Sequence, residues 1–180
     1  MINPPAELAV DFALAKLCLK ADDSDERDTE IRSLVLGITL RAEHETGRAF
    51  IHQDWRVSQD RFCGEIRLPK APLVQVLSVK YYDANNVQQT LPTSEYQVDG
   101  VSEPGRILLA AGKSWPSTFA RVNAVTVDYR VGYGATHEAV PGDVKSYILG
   151  MLALRFDPPA TGAEAAEENL SGLLDASKVY

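Results

Sequence analysis

Three histidines, two cysteines and several close pairs of acids are the side chains of this 180-residue chain with the reach to do chemistry. His44, His52 and His137 fall on a predicted helix, strand and loop, without the HxxxH or HExxH spacing that puts two imidazoles on one metal. Cys63 with a distant histidine makes a weak nucleophilic pair, and no GxSxG is present. Gly105-Arg-Ile-Leu-Leu-Ala-Ala-Gly112-Lys113-Ser114 comes nearest to a phosphate loop, but six residues separate the first glycine from the Gly-Lys pair where a P-loop has four. Glu43/Glu45 and Glu167/Glu168 could do acid-base work only if burial drove their pKa values apart, and the pattern shows no such burial, so they read as solvated helix faces. No catalytic, cofactor-binding or metal-binding residue is nominated. One alternative stays open: a small-ligand-binding protein or enzyme with a pocket in the β region, lined by His52, Trp55, Tyr133 and His137.

The elements that would have to position such groups divide the chain in three. Residues 1–50 hold 10 acids and 6 bases, 51–140 hold 9 of each, and 141–180 hold 6 and 3, which sums to a net −7. That sign argues against free nucleic acid as a default ligand, and the bases do not gather into a stripe interleaved with aromatics. With 45% hydrophobic and 24% charged residues the composition is that of a globular chain. No apolar run approaches the ~20 residues of a membrane span, and the acids Glu7 and Asp11 break any secretory signal, so synthesis in a cytoplasm is expected. Two cysteines cannot build a disulfide framework.

Leu8, Phe12, Ala15 and Leu19 predict a helix from about Pro5 to Lys20. Asp23 and Glu26 have capping-box spacing and predict a second helix running to Thr46 and ending at Gly47, about 35 Å long. On it Ile31, Leu34, Val35, Ile38 and Ala42 make one stripe, and Leu36 and Leu40 lie on another side around Gly37. Two apolar sides suit a helix central in its own bundle, or one whose second side meets a neighbouring subunit through Ile31, Leu36, Gly37 and Leu40. From Ile51 the period changes to two, with Ile51, Trp55 and Val57 facing one way and His52, Asp54, Arg56 and Ser58 the wettable other. Further strands at 66–68, 74–82, 87–91, 96–98, 106–109 and 124–133 predict a small antiparallel sheet or barrel. A third helix starts near Pro141 and stops at Asp157-Pro158-Pro159. The expected class is α+β: N-terminal helices over 1–50, a β insert over 51–140, a third helix over 141–157 completing the bundle, and an extended C-terminal arm over 158–180. Leu170, Leu173, Leu174 and Tyr180 are the anchors of that arm, which orders on a partner or stays solvated.

An ordered set of short motifs runs through this frame: Glu43-His-Glu-Thr-Gly-Arg48, Leu68-Pro69 and Pro72, Val76-Leu-Ser-Val-Lys-Tyr-Tyr-Asp83, Gly105-Arg-Ile, Trp115-Pro116, Val127-Asp-Tyr-Arg-Val-Gly-Tyr-Gly134 and Val140-Pro141. In order and spacing it resembles the head-tail connector (adaptor) proteins of tailed bacteriophages, including the longer members labelled DNA-packaging proteins, over roughly residues 5–157. After Arg155 the Phe-Asp-Pro-Pro turn and acidic tail depart from the family's usual ending.

The resemblance implies a non-enzymatic virion protein at the head-tail interface. It implies a helical bundle with a β insert, and a ring, typically of twelve copies, beneath the portal. DNA would pass through its lumen without sequence-specific binding. The implied partners are further copies, the portal protein through the C-terminal segment, and a stopper or tail-completion protein at the β loops or opposite rim; no cofactor and no membrane are implied. A neighbouring stopper or tail-completion ring protein is the related alternative. Acids facing the lumen would repel phosphates, with Asp22, Asp23, Asp25, Glu26, Glu43 and Glu45 the candidates, or the acids serve solubility alone.

Overall fold

The computed structural model describes residues 1–20 and 27–179. They form two compact units, one of residues 5–52 and 133–180 and one of residues 1–4 and 53–132.

The first unit is helical. Helix α1 spans Phe12–Cys18, shorter than the apolar spacing predicts, because Asp11 takes the N-cap in an extended conformation and its carboxylate accepts from the Ala13 amide at 3.0 Å. Helix α2 spans Asp28–Thr46; the Asp23/Glu26 capping box lies outside the described residues. Its 19 residues make it about 28 Å long. It ends at Gly47, whose φ of 72° is the left-handed cap that a side chain would strain. Helix α3 spans Gly142–Phe156. Ile31, Val35, Ile38 and Ala42 of α2 face Val144, Tyr147, Ile148, Met151 and Leu152 of α3 in one core, which Ala9, Val10, Ala15 and Phe50 complete. Each Val, Leu, Ile, Met or Phe side chain among them contributes roughly 1.5–3 kcal/mol by leaving water.

The segment beyond Asp157, expected as an extended arm, instead folds back. Helix α4 spans Ala163–Ser171 and a 3-10 segment follows over Gly172–Ser177, with Leu174 completely buried in the helical core. The Val179 amide closes the return on the Thr46 carbonyl at 2.9 Å. Leu170 and Leu174 suffice here because they are added to a core already built, where an isolated tail would have none.

The second unit is all antiparallel. Strands β1 (Gln53–Gln59), β3 (Leu73–Tyr82), β4 (Gln88–Thr90) and β7 (Val125–Val131) form a sheet in the order β1-β7-β3-β4. Strands β2 (Ile66–Arg67), β5 (Tyr96–Asp99) and β6 (Arg106–Leu109) form a second, ordered β2-β6-β5. Alternation along β7 buries Val125, Val127, Tyr129 and Val131 on one side. On the other, the antiparallel register sets Asp54 opposite Arg130 and Arg56 opposite Asp128. Arg130 holds both Asp54 oxygens at 2.7 and 3.1 Å, and Arg56 holds both Asp128 oxygens at 2.6 and 2.8 Å. Asp54, expected on a wettable face, is therefore buried and paired. It also receives the Asn3 side-chain amide at 2.8 Å, and the Ile2 amide bonds to its carbonyl, so residues 1–4 cover the free edge of β1.

Candidate assembly surfaces

On α2 a four-residue repeat opposite the core stripe carries Leu36 and Leu40 outward, 45% and 46% exposed. Gly37 lies between them, and a Cβ added there would touch nothing within 4 Å, so packing inside the chain does not demand the glycine. Leu36 also borders a cleft of about 410 Å³ lined by Pro5, Leu8, Val10, Phe12, Arg32 and His137 among others. The Arg32 guanidinium sits 3.7 Å from the centre of the Phe12 ring, close enough for a cation–π contact. Ile31, grouped with this face from the sequence, belongs to the opposite stripe: it is fully buried in the chain's own core, seven residues from Ile38 on the same side of the helix, and cannot meet another subunit.

The acids divide in three. Asp22, Asp23, Asp25 and Glu26 lie outside the described residues. Glu43 is buried, and its carboxylate accepts from the Phe50 amide at 2.7 Å; as the residue that ties the end of α2 to the chain leaving it, it faces no channel. Glu45 is exposed but shared: Arg41 reaches it at 2.7 Å one turn away and reaches Glu167 of α4 at the same distance. The hydrogen bonds that Arg41 donates to these two carboxylates, Glu45 first, raise its pKa. Beneath them the Tyr147 hydroxyl is buried without a hydrogen-bond partner among the described residues, and burial, then the nearby Glu45 charge, raises its pKa.

The four arm residues have separated. Leu170 lies against α3 at Gly150, where a Cβ would come within 2.5 Å of its methyl, so the glycine makes the close approach possible. Leu174 is consumed by the core and is not an anchor for a partner. Leu173 points outward, 38% exposed, and Tyr180 lies outside the described residues. Arg48 donates to the Ser177 carbonyl, and Ser177 donates to Asp143 at 3.2 Å, which fixes the last turn.

The residues suggested for a ligand pocket have separate occupations. Trp55 donates to Gln53 at 3.0 Å under the Lys70 ammonium, Tyr133 faces Arg48, and His137 stands 3.9 Å from Glu7. The cleft of the helical unit includes His137 alone of the four, and a cleft of about 650 Å³ in the β unit includes none of them. Among the described residues no three of His, Cys, Asp and Glu gather as a metal site, and no helix is long and apolar enough to cross a membrane. Lys113 of the near-miss phosphate loop is paired with Glu95 at 2.9 Å. The β-unit cleft, lined by Asp60, Arg61 and residues 118–122, was not legible from motifs; its only signal is the length of the connection from Ala110 to Ala124.

No family model matches the chain, and no curated protein matches its sequence. Solved structures do match its fold from end to end. A chain in the neck of an empty GTA particle, computed with C6 symmetry, superposes with a TM-score of 0.75 at 18% identity, covering 100% of this chain and 96% of that one. A chain in the virion of a native gene transfer agent (GTA) particle gives 0.76 at 19%, with the same coverage of both. A third, in the neck of a native GTA particle computed with C12 symmetry, gives 0.72 at 20%, again over 100% and 96%. At this identity the likeness establishes the α+β fold with both units included.

Proposed function

We propose that this chain is a structural, non-enzymatic subunit of the head-tail neck of a tailed phage or phage-like particle, a connector that forms a ring beneath the portal and continues the DNA channel. The observation that carries the reading is the full-length likeness in fold to chains of GTA particles, two of them from necks, with both units covered. A ring needs two different patches that meet around an axis. The outward Leu36, Gly37 and Leu40 of α2 supply one apolar patch that the chain's own core does not use. Twelve copies would carry about −84 formal charges, which favours passage of a polyanion over adhesion to it. Contact with the portal through the tail would use Leu173, because Leu174 is committed to the core.

The test is co-expression with the portal protein of the same genome, read by native mass spectrometry and electron microscopy. An annular complex with portal is expected, and Leu36→Glu with Leu40→Glu should leave folded subunits that no longer close it. A chain that stays monomeric with portal present would overturn the reading. Neutral isosteres at Asp22, Asp23, Asp25 and Glu26 should allow assembly and slow DNA ejection; an unchanged ejection rate removes these four from the channel.

A further inference from the structure

At one end of the β unit the β1–β2, β3–β4 and β6–β7 connections meet, and the last of them runs 15 residues, 110–124, without helix or strand. Spans of that length without structure of their own are uncommon and are usually either functional binding loops or linkers. This one is held in place. The Phe119 amide donates to the Tyr82 carbonyl at 2.9 Å, and the Asn123 amide to the Asp60 carboxylate at 2.8 Å. The Arg121 guanidinium stacks 3.9 Å from the Tyr82 ring centre and reaches Asn86 at 3.3 Å. Between the loops lies the cleft of about 650 Å³, lined by Asp60, Arg61, Thr118, Phe119, Arg121 and Val122 among others.

Two properties of this cleft are unspent. Phe119 is 39% and Val122 71% exposed. Among the described residues neither Arg61 nor Arg121 meets a carboxylate, whereas Arg56, Arg67, Arg106 and Arg130 of the same unit all do. The unit holds 8 acids and 9 bases, against 17 and 9 in the helical unit, so it lacks the acidic excess of the rest of the chain. We propose that this cleft docks a segment of another protein that presents an apolar side chain flanked by carboxylates. The Phe119/Val122 floor takes the apolar group, and the two guanidiniums take the carboxylates in the planar, bidentate fashion that arginine favours. Arg121 is already ordered on Tyr82, so little side-chain freedom is lost on binding. A DNA backbone would use the arginines and gain nothing from the apolar floor. The inference concerns the β unit alone and does not depend on ring formation.

The probe is a randomised peptide-display library panned over the immobilised full-length chain. Enriched peptides should pair Asp or Glu with a large apolar residue. Arg61→Glu with Arg121→Glu, or Val122→Ser, should weaken their binding by about tenfold or more, while Leu36→Glu leaves it unchanged. Absence of enrichment, enrichment of basic or uncharged peptides, or binding that survives these substitutions would overturn the proposal. So would a labelled DNA duplex retained by the wild type and released by Arg61→Glu, which assigns the cleft to nucleic acid, or self-association abolished by the same change, which assigns it to a second copy. If Arg121→Glu fails to fold, Arg61→Glu carries the test alone, since Arg61 makes no hydrogen bond or ion pair among the described residues.

Discussion

Truncating Leu174 tests whether the last twenty residues are part of the folded helical unit or a loose arm. Its side chain is wholly buried against the α2–α3 core, while its neighbour Leu173 is 38% exposed. Leu→Ala at a site that cannot collapse loses transfer energy and leaves a cavity, about 3 kcal/mol within a range of 2–5. That multiplies the unfolding equilibrium constant by roughly 150 and, at ~1.5 kcal/mol per molar, lowers the urea midpoint of the helical unit by about 2 M. Leu173→Ala removes a side chain that never fully left water and should cost no more than about 1 kcal/mol. The readout is urea unfolding by far-UV circular dichroism together with amide exchange in α3 and α4. Equal midpoints for the two variants, both within about 0.5 kcal/mol of wild type, would refute the docked tail, because a mobile arm does not distinguish adjacent leucines.

Glu43→Ala strands the buried Phe50 amide and should destabilise by about 2 kcal/mol in the same urea assay, while Glu45→Ala, which loses an exposed ion pair, should cost under about 1 kcal/mol. Asp99 accepts from the Ser102 amide and hydroxyl, then from Arg106 and the Val101 amide, which together hold its carboxyl well below the usual carboxylate range. A depressed folded pKa gives stabilisation that is complete above the unfolded value near 4 and is lost as pH falls beneath it, so Asp99→Asn should flatten the acid limb below about pH 4. Fluorescence reads that limb in the right unit, since Trp55 and Trp115 both belong to it. Burial pushes the Tyr129 phenol up to about 12, partly offset by a hydrogen bond with the Lys70 backbone. Its contribution is present below the unfolded value near 10 and lost as pH rises through the folded one, so Tyr129→Phe should remove the last tyrosine step from an alkaline absorbance titration.

Much of this arrangement follows from patterns that act locally. The 3.6-residue stripe of Ile31, Val35, Ile38 and Ala42 and the two-residue alternation of Val125, Val127, Tyr129 and Val131 each report a single element facing one core, and both faces are buried as the spacing requires. The outward side of Leu36 and Leu40 is legible for the same reason. What eluded the sequence depends on partners distant in the chain. Glu43 looks like any solvated helix acid until the Phe50 amide is known to turn back onto it, and Asp54 looks wettable until register sets Arg130 opposite. On β3, bulges between Leu73 and Gln75 and between Val76 and Ser78 put Val74 and Leu77 in solvent, a shift that no alternation in Leu-Val-Gln-Val-Leu-Ser-Val can reveal. The tail misled because Leu170, Leu173 and Leu174 are too few for a core of their own, and sequence alone does not show the groove that receives two of them.

The way each unit disposes of its charge bears on why no catalytic motif emerges. In the β unit Asp54, Glu65, Glu95, Asp99 and Asp128 each meet an arginine or lysine, and Asp60 and Asp83 brace turns through backbone amides. Acids so occupied hold strands in register, and most of the pairs are exposed enough that each contributes under about 1 kcal/mol; their value lies in fixing which strand lies beside which. Among the described arginines of this unit, Arg61 and Arg121 are the two without a carboxylate, and they stand out against a largely paired surface as recognition groups. In the helical unit 17 acids face 9 bases, so no arrangement of its side chains can pair them all. An excess of 8 negative charges confined to one unit repels itself, a cost to the isolated subunit that grows when copies gather. On the proposed connector reading, such an excess beside the outward Leu36 and Leu40 would serve a conduit for a polyanion, the helix face joining copies and the field keeping the cargo from adhering to them.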